Sequence, residues 1–306
     1  MNDAFRELAN GHFESGLDKL NQDPQWHDDR TDLKGPFFLG FPGARGWGEE
    51  LLVASLLKRE AVNLGFPVKV YADWQVCSIL KKDPVFDALQ GKKGRPPLAI
   101  LRHALTGNLM EKPFIPLGPV GQRSKTIDRH PRIGIAWASI SNNRPINQKS
   151  VPLKQFIGIL DGIKGEFVSL QRNLKIADPD GLLRKFGAIV VPEDVLDTKS
   201  ESSLDTVVKE ISQLDCLVTI STTTTHIAAS LGVRVLLIAA ERKGPQWFWQ
   251  VQANHQRCFY KTVQVHIGNG ETGNWWESCL ESVRSSLSCL KESNGCLQEK
   301  PIEPEV

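Results

Sequence analysis

No stretch of this 306-residue chain approaches the roughly 18 consecutive apolar residues needed to cross a bilayer, so the sequence offers no spanning helix. Charge of one sign is also missing: 37 Lys and Arg stand against 35 Asp and Glu, a net charge of +2. That balance is too small for a nucleic-acid surface, and no nucleic-acid partner is expected. The one basic knot, Lys92-Lys93-Gly94-Arg95, reads as a solvated loop. Cysteine is sparse, with six residues (Cys77, Cys216, Cys258, Cys279, Cys289 and Cys296) and no CxxC pair. Cys216 opens an apolar strand as a small core residue, and the group at 279–296 reads as scattered reduced thiols, so no metal site is expected. The start, Met1-Asn2-Asp3-Ala4-Phe5-Arg6-Glu7, lacks the basic-then-apolar order of a secretory signal, and a cytoplasmic protein is expected.

Two nucleotide motifs are absent as well. No Gly-Lys-Ser/Thr follows the first glycine-rich turn, so that turn is not a P-loop. No G-x-G-x-x-G opens a helix after the first strand with an acidic residue about 20 positions on, which argues against a dinucleotide-dependent oxidoreductase and against a bound cofactor.

What remains is an ordinary globular composition, 41% hydrophobic and 24% charged, long enough for one large domain or two. In residues 1–34, Phe5, Leu8, Phe13, Leu17 and Leu20 recur at helical spacing. They predict one or two short helices, either a hairpin packing on the body or the stump of a repeat array; no second copy of the pattern appears. Strands and helices then alternate. Residues 36–41 read as a strand, Gly43–Gly48 as a glycine-rich turn, 49–64 as a helix closed by Gly65, 67–71 as a strand and 74–82 as a helix. The pattern dissolves into Gly, Pro and charge between 118 and 131, and resumes with strands near 132–139, 166–171, 188–191, 216–220 and 233–239. Helices are predicted at 153–163, 179–186, 202–214, 226–231 and 274–291.

The expected organisation is an α/β protein of two Rossmann-like parallel-sheet lobes with a cleft between them. Its parts are a helical segment at 1–34, a first lobe at 35–122, a linker at 123–131, a second lobe at 132–291 and a disordered tail at 292–306.

Three strand ends carry candidate chemistry. The first runs from Leu217 through Ser221-Thr222-Thr223-Thr224-Thr225-His226 to Ala229: a buried strand, five hydroxyl residues, then a small-residue helix. Beyond the carboxyl end of a parallel strand, a helix N-terminus with extra hydroxyl donors favours a phosphate or diphosphate. A single cap needs only one of the five hydroxyls. His226 faces the same region and is expected beside the phosphates. The second is the turn Gly46-Trp47-Gly48 followed by Glu49 and Glu50, where glycines permit close backbone approach to a ligand. There the carboxylates either complement the helix dipole, worth about 0.3–1 kcal/mol, or supply a general base. The third is Trp137-Ala138-Ser139 with the polar loop to Ser150, where Lys149 or Arg144 would neutralise phosphate charge. Trp247-Phe248-Trp249 is an aromatic patch that fits core, a stacking surface or a contact between lobes.

Together these residues resemble the heptosyltransferase-like glycosyltransferases, family 9, with the GT-B fold, especially the form found behind tetratricopeptide repeats. The resemblance is carried by Arg132–Trp137, Lys149–Leu153, Phe167–Gln171, Leu214–Ser221, His226–Gly232 and Trp247–Trp249. It implies inverting, metal-independent transfer of a sugar from a nucleotide-sugar to a glycan, lipopolysaccharide-like, or to a protein. Glu49 would be the base, with Lys149, Ser221, Thr222, Thr223, Thr224 and His226 around the diphosphate. Gly46, Trp47, Gly48, Trp137, Ser139, Gln171 and Trp247 are further expected contacts to donor or acceptor. A lipid-linked acceptor would bring the protein to a membrane surface. The chain departs from the family in carrying Ser221 where many members have aspartate, and glutamate rather than aspartate at 49. The rival class is a non-catalytic binding module, which predicts no product with any donor.

Overall fold

The structure is a computed structural model and describes residues 3–30, 32–41, 46–62, 64–107, 111–117, 130–139, 149–196, 199–240, 246–254, 259–268 and 274–289. Among these residues no helix is long and apolar enough to cross a membrane.

After two short helices, α1 (Asp3–Ala9) and α2 (Phe13–Asn21), comes a three-stranded parallel sheet of β1 (Phe37–Phe38), β2 (Val68–Ala72) and β3 (Phe86–Gln90), in that order. Its helices are α3 (Gly48–Ala61), α4 (Trp74–Leu80) and α5 (Leu98–Thr106). Helix α3 is buried almost all round, from Glu50 through Arg59, which explains why its apolar residues do not keep to one stripe.

The second sheet is entirely parallel. It contains β4 (Arg132–Ala136), β5 (Glu166–Ser169), β6 (Ile189–Val190), β7 (Cys216–Ile220), β8 (Arg234–Ala240) and β9 (Val263–Gly268). The spatial order is β6-β5-β4-β7-β8-β9. Its helices are α6 (Leu153–Leu160), α7 (Leu174–Ala177), α8 (Leu182–Phe186), α9 (Glu201–Ser212), α10 (Thr223–Ser230), α11 (Trp247–Asn254) and α12 (Glu277–Ser288). Strand order reverses between β4 and β7, so the topological switch point of this sheet lies at the carboxyl ends of those two strands. Central strand β7 is buried at every position, as a strand covered on both faces must be.

The expected α/β class and two parallel sheets are present. The structure adds β3, α5, α7, α11 and β9, none of which the sequence reading marked. It also starts α10 at Thr223 rather than His226, so the hydroxyl run forms the first turn of the helix instead of a loop before it. The linker expected at 123–131 falls largely, and the tail at 292–306 wholly, outside the described residues, as do Arg144 and Gly43–Arg45.

Helices α1 and α2 form a hairpin docked across both halves. Helix α1 packs on α11 and α2 on α5. Phe5 stacks on Trp247 (ring centroids 6.3 Å apart, planes 13° apart) and meets Trp26 edge-on; Trp26 in turn meets Phe41. Arg102 of α5 donates to Glu14 and Asp18 of α2, each at 2.8 Å.

The two sheets' helices also meet directly. Arg59 Nη2 donates to the Phe259 carbonyl at 2.6 Å. Lys58 pairs with Asp83 and donates to the Pro116 carbonyl at 2.6 Å, while Leu117 N donates to the Ser230 carbonyl at 2.8 Å. On the flank, Ser78 of α4 donates to Glu201 of α9. A single apolar core runs from the hairpin through the first sheet to one face of the second; a separate core fills the other face.

Candidate functional site

The site forms where the first turn of α3 meets the switch point of the second sheet. Gly48, the first residue of α3, lies against His226 of α10: a Cβ there would stand 2.6 Å from His226 Cδ2. Only glycine lets the two helices approach so closely. The same turn presents Glu49, half-buried, to the neighbourhood of Lys149. Lys149 lies on the segment after β4, one residue before Ser150, whose Oγ accepts from Ser139 N at 3.0 Å.

These two charged groups come from opposite halves of the molecule and act on each other. Burial pushes the Glu49 carboxyl up from its ordinary range, while its own backbone amide and Lys149 pull it down. Burial holds the Lys149 ammonium below its ordinary range, against the pull of Glu49. A carboxylate raised in this way is a stronger base than an exposed one.

The hydroxyl run at the end of β7 divides its labour. Ser221 Oγ accepts from Trp249 Nε1 at 2.8 Å. Thr225 Oγ1 donates to the Ile220 carbonyl at 2.7 Å and accepts from Thr222 N at 3.3 Å, while Thr225 N donates to the Thr222 carbonyl at 3.1 Å. Those two hydroxyls therefore build the turn. Thr222 Oγ1 is buried and has no partner at hydrogen-bonding geometry among the described residues. Thr223 and Thr224 are half-buried on the first turn of α10, whose leading N–H groups have no intrahelical partner. An unpaired hydroxyl and a helix N-terminus beside a lysine form a cradle for an anion.

Four expected ligand contacts, His226, Trp137, Gln171 and Trp247, are enclosed in packing. His226 is 3% exposed, wedged among Phe248, Trp249, Tyr260 and Gly48, with Nδ1 3.2 Å from the Tyr260 hydroxyl. Burial, reinforced by Lys149, lowers its pKa to about 3, so the imidazole is neutral. Trp137 is buried against Phe156, with Nε1 directed to the Ala177 carbonyl. Gln171 is buried and fully engaged with the backbone. Its Oε1 accepts from Trp137 N and Ala138 N, and its Nε2 donates to the Ala138 and Arg172 carbonyls. No donor or acceptor capacity is left over for a ligand. Trp247 belongs to the aromatic core with Phe5, Phe41 and Phe259. Of the remaining expected contacts, Gly46 is exposed, while Trp47 and Ser139 are half-buried near the α3 and β4 ends.

Two residues at this site lay outside the sequence assignments: Trp249 fixes Ser221 and Tyr260 fixes His226. Glu50, read from the sequence beside Glu49 as a dipole partner or a base, turns inward and is buried. Trp249 stood inside the aromatic patch already marked; Tyr260 had no local signal. Among the described residues no group of three or more His, Cys, Asp or Glu is gathered as a metal would require. Cys77, Cys216 and Cys279 are buried and Cys289 is exposed, and these four thiols form no disulfide.

No family model matches the sequence, and no curated protein matches it. Solved structures with the same fold do. A family 9 glycosyl transferase from Veillonella parvula superposes with a TM-score of 0.52 at 11% identity, over 86% of this chain and 98% of its own. The ADP-heptose lps heptosyltransferase II of E. coli gives 0.53 at 12%, over 84% and 99%. The dodecameric iron-containing heptosyltransferase TibC, solved with ADP-D-β-D-heptose, gives 0.51 at 11%, over 86% and 78%. At such identities the likeness establishes the fold: this chain has the two-lobed GT-B-like architecture of those glycosyltransferases.

Proposed function

We propose that this protein is a glycosyltransferase that moves a sugar from a nucleotide-sugar to a hydroxyl acceptor by a single inverting displacement. The observation that carries this reading is that Glu49 and Lys149, from opposite halves, act on each other's charge beside the first turn of α10 at the switch point. The shared fold with glycosyltransferases, one of them holding ADP-D-β-D-heptose, supports the same reading.

Each part then has one task. The diphosphate lies at the N-terminus of α10, where Thr222 Oγ1, Thr223 and Thr224 donate and Lys149 neutralises charge. The acceptor hydroxyl attacks the anomeric carbon as Glu49 takes its proton, and the bond from that carbon to the diphosphate oxygen breaks. Charge leaves with the diphosphate, toward Lys149 and the helix terminus, which supply fixed positive potential without reorganisation. Attack opposite the leaving group inverts the anomeric centre. Lysine and helix dipole meet the electrostatic need, so the scheme assigns no step to a metal. His226 acts through packing, holding α3 against α10. The acceptor in this reading is a glycan, lipopolysaccharide-like, or a protein. A lipid-linked acceptor would work at a membrane surface, with the enzyme on the cytoplasmic side.

Glu49→Gln tests the mechanism. Loss of a general base lowers kcat by about 10²–10⁴-fold, while thermal stabilisation by the donor persists. Unchanged sugar transfer in Glu49→Gln with donor still bound would show the assigned base to be wrong.

A further inference from the structure

Glu49 and Glu50 are consecutive on α3, so their side chains leave the helix about 100° apart. Glu49 looks toward Lys149; Glu50 points into the first lobe and is 4% exposed. The Oε2 of Glu50 accepts from Asp73 N at 2.7 Å. Asp73 is the N-cap of α4, just past the end of β2. The Oε1 of Glu50 stands 3.1 Å from the place a Cβ on Gly40 would take, just past β1. One carboxylate thus touches the chain beyond both β1 and β2. The N-cap of α3, Trp47, makes no side-chain capping bond.

We propose that Glu50 is the positioning residue for Glu49, its inward carboxylate tethering the first turn of α3 to the start of α4 and so fixing where the base stands. This inference rests on the proposed function and deepens it. The groups facing Glu50 are Asp73, Lys92, Glu49 and Cys77. Burial raises its pKa to about 7, with Asp73 and Glu49 adding to the rise while the Asp73 amide and Lys92 oppose it. The tether therefore changes strength near neutral pH, since an ionised carboxylate accepts the stronger bond. Lys92, read from the sequence as solvated, acquires a part in this balance.

The test compares Glu50→Ala, Glu50→Gln and Glu49→Gln by amide hydrogen exchange and by nucleoside diphosphate release from ADP-, GDP-, UDP- and dTDP-sugars. In Glu50→Ala, exchange is expected to quicken at Asp73 and at Leu52 and Val53, whose amides bond the carbonyls of Gly48 and Glu49 within the helix. Turnover falls roughly 10²-fold, the penalty of a base misplaced by about 1 Å, with the donor-induced Tm shift retained. Glu50→Gln keeps an acceptor for Asp73 N but does not titrate; it restores most of the turnover and flattens the pH profile near 7. Should Glu50→Ala fail to fold, Glu50→Gln decides alone: a wild-type pH profile overturns the proposal. Wild-type exchange at Leu52, Val53 and Asp73 in Glu50→Ala overturns it also, whether or not any of the four donors is turned over. The two ideas fail separately. An active Glu49→Gln removes the base assignment, whereas an inactive Glu49→Gln beside a fully active Glu50→Ala removes only the tether.

Discussion

The two turns that meet at the site are built in opposite ways. At the end of β7, hydroxyls build the turn: Thr225 donates to the Ile220 carbonyl and accepts from Thr222 N, and Ser221 accepts from the Trp249 indole. At the start of α3 no hydroxyl caps the helix, and charged groups carry the structure, with Glu50 on Asp73 and Glu49 opposite Lys149. Building the first turn leaves over the Thr222 hydroxyl, the half-buried Thr223 and Thr224 and a helix terminus. The second is a charged edge whose properties depend on protonation. The proposed transfer uses both: a seat for the leaving group and a titratable group for the incoming one.

Substitutions on each side separate these roles. Lys149→Met removes the charge between the turns and is expected to have the largest effect on donor binding. It weakens donor binding by about 1.5–3 kcal/mol, the worth of a charged hydrogen bond, which titration calorimetry reads as a roughly 10- to 100-fold rise in Kd. Gly48→Ala strikes the seam, since its methyl would collide with His226; overpacking costs about 1–3 kcal/mol in denaturant unfolding. The threonines then split. Thr225→Val loses two backbone partners and destabilises by about 1–2 kcal/mol. Thr222→Val deletes a hydroxyl without a partner, leaves stability within about 0.5 kcal/mol, and weakens the donor about fivefold. Equal effects of the two on stability would erase the distinction between builder and binder.

A pH slope tests the packing side of the site. His226 binds its proton near pH 3 when folded and near 6.5 when unfolded. The unfolded chain takes up the proton first as pH falls. Its contribution to stability is therefore complete above about 6.5 and declines toward pH 3, by up to about 1.4 kcal/mol per unit. Glu50 runs the other way: its raised pKa favours the folded state as pH falls from about 7 toward its unfolded value. His226→Phe should flatten the acid decline in unfolding experiments between about pH 6 and 4.

Much of this was legible because local chemistry and fold agree. The run Cys216–Ile220 announces a buried strand and its bounds match β7. The hydroxyls after it announce a helix start, though not that Thr223 already belongs to the helix. Elements with mixed patterns escaped: β3 is half-exposed with Asp87 and Gln90, and β9 alternates Gln264 and His266 with valines. Helix α11 hid behind its aromatics, which look like a patch until they are wound into a turn. The enclosure of Trp137, Gln171, His226 and Trp247 was illegible for a different reason. Gln171 reaches its partners 33 and 34 residues away, and His226 meets Tyr260 34 residues on. Such contacts exist only after the sheet and its helices have assembled. A polar residue at a strand end looks the same in sequence whether it serves a ligand or the backbone.

The seat for the diphosphate is the central claim, and a thermal-shift series on the wild-type protein tests it most directly. ADP-, GDP-, UDP- and dTDP-sugars would each be added at rising concentration, with the matching nucleosides as controls. The account predicts that at least one donor, at about 100 times its Kd, stabilises the protein by about 2.7 kcal/mol, while its nucleoside does so far less. No shift with any of the four donors, or a nucleoside as effective as its donor, would contradict it.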